Sequence, residues 1–316
     1  MDLKRINFRN RIKFVAIVLL LIIVTLPTSV FAEKRIGIVL SGGSALGYAH
    51  VGALQALEDY GIKPQYVAGT SMGAIIGAFY AAGYTPQQIL QLIQDKKLNS
   101  VNKLLSPQSA FFNTGVSSHD VLISTMKELI PHNSFDSLEL DFSLCVTNLD
   151  KGYFEYKTSG DNLAQYVAAS ASIPGVFETQ VIDGINYVDG GILNNLPAEV
   201  LHDKKCQYII GVDVIPFVED ALDAVKQTSP DRTSLLNLID LKQNSNSLDV
   251  MMWSLRLVQV ENSKPGREYC DWVIDSYAIL DYHEFNFSKY IEIYQYGYKA
   301  VVDYIRSHPQ MLKKLK

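Results

Sequence analysis

The segment Ile36-Gly-Ile-Val-Leu40 constrains the fold more than any other stretch of the chain. It is apolar, partly β-branched, without polar alternation, and is followed at once by Ser41-Gly42-Gly43. A strand that is apolar on both faces must be covered on both faces, as an interior strand of a parallel sheet is. A helical pattern follows over residues 46–60, with Ala49, Ala53, Ala56 and Leu57 along one side, and Gly61 stands where helices commonly end. The same sentence is then repeated. Residues 65–69 read as a strand, a helix starts at Ser71 or Met72 and runs to Ala82, and Gly83 closes it. Thr85-Pro86 has the form of an N-cap followed by proline at the first helical position. Strand, helix, strand, helix with short connections predicts an α/β domain of three layers, α/β/α, around a mostly parallel central sheet.

Further strands are predicted at residues 142–149, 153–156, 185–188, 207–215 and 271–274. Helices are predicted at 117–129, 163–171, 291–305 and, as one long or two shorter helices, 234–258. Residues 218–232 read as a loop. No linker and no internal repeat divides this part of the chain, so residues 33–316 are expected to form one domain.

The first 32 residues belong to a different grammar. Lys4, Arg5, Arg9, Arg11 and Lys13 form a basic region, residues 14–26 are almost purely apolar, Pro27 breaks the run, and Val30-Phe31-Ala32 offers small residues at −3 and −1 of a cleavage point. This is the pattern of a secretory signal, with an uncleaved membrane anchor as the alternative; the apolar run is shorter than the roughly 20 residues that span a bilayer. The protein is therefore expected to be exported, periplasmic or secreted. The whole chain carries −5. Without the five cations and Asp2 of the signal, which together contribute +4, the remainder carries about −9. That charge disfavours nucleic acid as a partner and leaves apolar contact as the main route to a lipid surface. Three cysteines, Cys145, Cys206 and Cys270, are widely spaced, cannot all pair and show no metal-ligand spacing; they read as buried free thiols, with a single disulfide as the alternative.

Three glycine-bearing motifs stand at predicted strand ends, where ligands bind in open α/β sheets. Gly69-Thr-Ser-Met-Gly73 is a G-x-S-x-G between strand and helix. Such a turn exposes a serine hydroxyl, here Ser71, above the sheet, and the glycines Gly69 and Gly73 leave room where a side chain would collide. A serine nucleophile needs a base. His50 falls inside the first helix, where a packed histidine is expected, and His283 and His308 lie in polar surface-like contexts. Asp189, at the end of an apolar strand and before Gly190-Gly191, reads either as that base, its proton affinity raised by partial burial, or as an ordinary turn-capping residue. Gly42-Gly43-Ser44 at a helix start can offer backbone amides to an oxyanion. A dinucleotide fingerprint is disfavoured: the loop is G-G-x-x-x-G, ending at Gly47, and Asp59 sits within the first helix rather than at the end of the second strand.

Taken in order, the G-G-x-x-x-G loop, the G-T-S-x-G turn, Ala169-Ser-Ala-Ser-Ile-Pro-Gly-Val-Phe177 and Val188-Asp-Gly-Gly-Ile-Leu-Asn-Asn-Leu-Pro197 resemble the patatin-like phospholipase family over residues 35–215. The resemblance implies a Ser71–Asp189 dyad, an oxyanion hole of Gly42, Gly43 and Ser44 amides, and hydrolysis of phospholipids or related acyl esters through an acyl-serine, with no cofactor and no metal. The loop departs from the family pattern where Leu46 replaces an arginine or lysine and Ser44 replaces a glycine. Leu46→Arg is accordingly expected to alter rate or ester preference without affecting folding. Leu104, Leu105, Phe111 and Phe112 read either as a flap that makes transient contact with a membrane surface or as a packed loop.

Overall fold

A computed structural model describes residues 34–95, 119–215, 247–275, 279, 282 and 287–316. The expected signal, the apolar residues 104–112, the loop at 218–232 and His283 lie outside the described residues. Contacts group residues 35–316 into one unit and residues 1–34 into another.

The sheet grows outward from the first apolar run. β1 (Ile36–Leu40) is buried throughout, as its composition requires. β2 (Tyr66–Gly69) and β7 (Tyr208–Asp213) pair with it in parallel, one on each side; β3 (Asp141–Asn148) and β8 (Trp272–Asp275) extend the parallel array. β4 (Tyr153–Lys157), β6 (Ile185–Asp189) and β5 (Gln180–Ile182) are antiparallel additions, giving eight strands in the order β5-β6-β3-β2-β1-β7-β8 with β4 beside β3. The expected mostly parallel sheet with helices on both sides is what is found.

Among the described residues the helices are α1 (Tyr48–Asp59), α2 (Met72–Ala81), α3 (Pro86–Gln94), α4 (Asp120–Leu129), α5 (Leu163–Ser170), α6 (Glu199–Asp203), α7 (Ser247–Glu268), α8 (Tyr290–Ser307) and α9 (Pro309–Leu315). Thr85 caps α3 with a reciprocal capping box to Gln88, as its sequence position indicates. α1 differs from a one-sided amphipathic helix: every residue from Tyr48 to Leu57 is buried. Its cover is α8, and the two backbones meet at glycine. A Cβ on Gly52 would run into the Tyr294 carbonyl, and one on Gly297 into the Ala49 carbonyl.

Three short elements, β5, α6 and α9, were not legible in the chain's periodicity. β5 has only three residues and exists through its pairing with β6. The long C-terminal helix also ends later than residue 258. α7 continues to Glu268 through Pro265, although proline removes an intrahelical hydrogen bond. Tertiary anchors hold that extension. Asn195 N donates to the Asn262 carbonyl at 3.3 Å. Arg267 bridges Asp213 Oδ2 on β7 (3.0 Å) and Asp275 Oδ2 on β8 (2.5 Å).

Because Gly52 abuts backbone rather than a movable side chain, Gly52→Val is expected to separate α1 from α8 and lower stability by at least about 2 kcal/mol, measured as a shift in the urea unfolding midpoint.

Candidate active site

Ser71 occupies the turn between β2 and α2 with φ 54° and ψ −122°, a backbone state that costs a non-glycine residue about 1–3 kcal/mol. Neighbouring groups hold it there. The Ser71 amide donates to Ser170 Oγ at 2.9 Å, and that hydroxyl donates to the Cys145 carbonyl at 2.7 Å. Thr70 donates through N to the Leu40 carbonyl (3.1 Å) and through Oγ1 to the Asn194 carbonyl (3.1 Å). The turn is tight enough that a Cβ at Gly73 would strike the Leu40 carbonyl and one at Gly69 the Gly73 carbonyl. α2 begins at Met72, so its positive end lies at the serine.

Asp189 reaches the same place by a route that strand order alone does not suggest, since β6 runs antiparallel to β1, β2 and β3. Leu40 pairs with Gly69 and Gly69 with Leu144, so the ends of β1 and β2 are level with Leu144. β3 continues past them, and β6 pairs with that continuation, setting Asp189 opposite Val146. The carboxyl therefore arrives two residues, roughly 7 Å, beyond the ends of β1 and β2. Its main chain is fastened by Asp189 N to the Ser172 carbonyl (3.0 Å) and by Thr147 Oγ1 to the Asp189 carbonyl (2.9 Å).

The Asp189 side chain is 1 % exposed. Oδ1 accepts from Gly191 N at 2.8 Å, while Oδ2 has no hydrogen-bond partner. Burial pushes the carboxyl pKa up to about 7, against the smaller opposing effects of the nearby Ser71 hydroxyl and the Gly191 amide. The Ser71 hydroxyl therefore lies close enough to favour the charged form, while Oδ2 itself accepts no hydrogen bond.

The glycine loop forms the facing wall. Ser41 Oγ accepts from Val214 N (3.0 Å), fastening the end of β1 to the residue after β7. Gly42 N donates to the Asn195 carbonyl at 3.2 Å, so its amide is engaged, and the expected set of three oxyanion donors reduces to Gly43 and Ser44. Those two amides have no acceptor among the described residues. Ser44 has φ 49°, at the start of a 3-10 turn through Gly47. Gly47 gives way to Met72, and Gly190 to the Cys145 carbonyl, at contacts a side chain would occupy. Gly191 lies against Asn195 Oδ1 and Asp189 Oδ1.

Leu46 is fully buried, so the expectation that an arginine there would leave folding intact does not hold. A guanidinium at this position would be desolvated among Ala45, Val51 and their neighbours in the core.

His50 is buried and its Nε2 donates to the Ser41 carbonyl at 2.8 Å. Burial lowers its pKa to about 4, so it is a neutral support of the glycine loop. His119 is likewise buried and stacks on Phe177 with ring centroids 4.1 Å apart. The described cysteines are free thiols, and no group of three His, Cys, Asp or Glu side chains suited to a metal occurs among the described residues.

Ser71, Asp189, Gly43 and Ser44 line one cleft with Ile173 and Ile192. The remaining wall comes from α7: Met252, Leu255, Arg256 and Gln259. Those four positions share one helical face. Sequence reasoning did not find them, nor Ser170 and Asn195, although the latter two lie within the quoted blocks 169–177 and 188–197.

A strained serine turn, a buried carboxyl and loop amides without an acceptor among the described residues thus meet in one cleft of an α/β sheet, an arrangement of the kind hydrolases use. The sequence profile of the patatin-like phospholipase family matches residues 38–202, just over half of the chain. The chain belongs to that family. Among curated relatives, it is 30% identical over 280 residues to lysophospholipase NTE1 of Phaeosphaeria nodorum, covering 84% of this chain and 18% of the relative. It is 26% identical over 280 residues to lysophospholipase NTE1 of Meyerozyma guilliermondii, covering 85% and 19%. It is 29% identical over 293 residues to patatin-like phospholipase domain-containing protein 7 of Rattus norvegicus, covering 85% and 20%. The chain thus spans about a fifth of the length of these relatives. The crystal structure of VipD from Legionella pneumophila aligns with TM-score 0.46 and 17% identity over 87% of this chain and 67% of that one.

The raised pKa of Asp189 carries a stability consequence. A carboxyl at about 7 in the folded chain and about 3.8 unfolded contributes nothing below pH 3.8. It becomes destabilising as pH rises from 3.8 to 7, because the unfolded chain ionises first. Asp189→Asn is expected to raise Tm by at least about 2 °C at pH 8, with the gain shrinking to nothing as pH is lowered towards 4, as thermal unfolding across that range would read.

Proposed function

We propose that this chain is a serine hydrolase of acyl-lipid esters in which Ser71 is the nucleophile and Asp189 its base. The observation that carries this reading is the convergence of the Ser71 turn and the buried Asp189 carboxyl on one cleft, which Gly43 and Ser44 also line, their amides without an acceptor among the described residues. Family membership and the names of the lysophospholipase relatives support lipid esters as the substrate class.

The chemistry follows from the geometry. Asp189 Oδ2 accepts the Ser71 hydroxyl proton as Oγ attacks the ester carbonyl carbon. Negative charge gathers on the carbonyl oxygen, where the Gly43 and Ser44 amides and the start of α2 offset it. Asp189 returns the proton to the departing alcohol oxygen, leaving an acyl-serine. Water then attacks that ester with its proton passing to Asp189, and the free acid leaves as Ser71 is restored. The walls formed by Ile173, Ile192, Met252 and Leu255 suit an acyl chain. Neither step uses His50, whose ring is committed to the Ser41 carbonyl. In the same reading residues 1–32 direct export and residues 33–316 act outside the cytoplasm.

The test is labelling of the chain with a fluorophosphonate, alongside hydrolysis of a short-chain p-nitrophenyl ester. Label is expected on wild type and absent from Ser71→Ala, with kcat falling at least about 1,000-fold in Ser71→Ala and in Asp189→Asn. Since the base acts only when ionised, wild-type kcat/KM is expected to fall tenfold per pH unit below an apparent pKa near 7. A folded wild type that neither labels nor hydrolyses the ester overturns the reading.

A further inference from the structure

The cleft holds two charged side chains among the described residues, Asp189 and Arg256. Arg256 arrives from α7, on the helical face that also presents Met252, Leu255 and Gln259. It is 6 % exposed, and its guanidinium carbon lies 5.6 Å from the centroid of the Trp253 ring, which shelters one side of the cation. In such a setting an anion gains more from a guanidinium than it would at an open surface.

The influences on Asp189 are its own burial, the Ser71 hydroxyl and the Gly191 amide, and Arg256 is not among them. Nor does the glycine loop offer a competing charge at position 46, where Leu46 belongs to the core. Ile173, Ile192, Met252 and Leu255 make the rest of the lining largely apolar. The lining thus brings a serine, apolar side chains and a sheltered guanidinium into one cleft, the three kinds of group that an acyl ester with a phosphate on its alcohol side would meet. The net charge of the chain, −5, gives such an anion no general attraction, so recognition would fall to this local cation.

We propose that Arg256, with the Gln259 amide beside it, is the subsite for the phosphodiester of a phospholipid or lysophospholipid head group, and selects these over neutral acylglycerols. This rests on the reading of the cleft as a lipid-ester site.

The test separates the two claims by measuring binding without turnover. Full-length Ser71→Ala is titrated calorimetrically with 1-decanoyl-lysophosphatidylcholine and with 1-monodecanoylglycerol, each below its critical micelle concentration, and with inorganic phosphate. The lysophospholipid is expected to bind at least tenfold more tightly than the glyceride. Adding Arg256→Gln should remove that preference, weakening lysophospholipid binding at least tenfold and glyceride binding much less, while Arg256→Lys, which keeps the charge, should retain part of it. Thermal unfolding of each variant shows whether it is folded; should Arg256→Gln fail to fold, the Lys variant decides, by a preference intermediate between none and wild type. The proposal is overturned if the two lipids bind alike, if neither binds, if the Arg256 variants weaken both equally, or if inorganic phosphate alone binds as tightly and with the same dependence on Arg256. Failure of wild type to take a fluorophosphonate would instead sink the hydrolase reading, and would leave the binding comparison to stand or fall by itself.

Discussion

A carboxylate removed from water is costly, and much of the arrangement around the cleft answers to that cost at Asp189. The side chain is buried, one oxygen is held by the Gly191 amide, and the other is left without a partner. Only a rigid surround keeps such a group from relaxing towards water or acquiring a neutralising cation. Thr147 and Ser172 grip the main chain on either side, and the Gly190 turn lies so close to the Cys145 carbonyl that no side chain fits between. The result is a proton affinity near neutrality, which the proposed role as a base would use. The same feature makes the residue a burden on folding above pH 4. Under the proposed role, activity and stability would be opposed at this position by the physics of one buried charge.

The parts of the site come from distant segments, and a single dipeptide joins them. The Asn194 carbonyl accepts from Thr70 of the serine turn, and the Asn195 carbonyl accepts from Gly42 of the glycine loop. Asn195 also donates through N to Asn262 and through Nδ2 to Ser263 at 3.1 Å, both on α7. The dipeptide follows Asp189-Gly-Gly-Ile-Leu in the chain, so the residue that carries the carboxyl is tied to the Ser71 turn, to the glycine loop and to the helix that lines the cleft. Behind it, Asn194 Nδ2 donates to Tyr156 Oη (3.0 Å) and Glu199 Oε2 (3.2 Å). These are buried, hydrogen-bonded anchors rather than reacting groups, and their value lies in holding geometry.

Several features were legible in the chain because they follow from local chemistry. An apolar run without alternation must be covered on both faces, so β1 could be assigned to a sheet interior. Gly69 and Gly73 around Ser71 mark a turn in which side chains collide, and Thr85-Pro86 marks a helix start. Asp189 before two glycines drew notice for the same local reason, although its neighbourhood alone left a turn-capping role equally open.

What the sequence by itself determined, then, is the class of fold, the family and the short motifs, since each rests on contacts within a few residues or on a period along the chain. The tertiary structure decided matters that depend on distant segments. The continuation of β3 past β2 brings an antiparallel strand's Asp189 to the serine. A carbonyl from residue 195 engages the Gly42 amide and leaves Gly43 and Ser44 as the open donors. Leu46, a departure from the family's loop pattern, is a core residue rather than a lost contact to ligand. The cleft's cation comes from α7, far along the chain, where a lone arginine on a helix carries no local mark of its neighbours. Burial and register arise from the whole packed chain, and no window of sequence contains them.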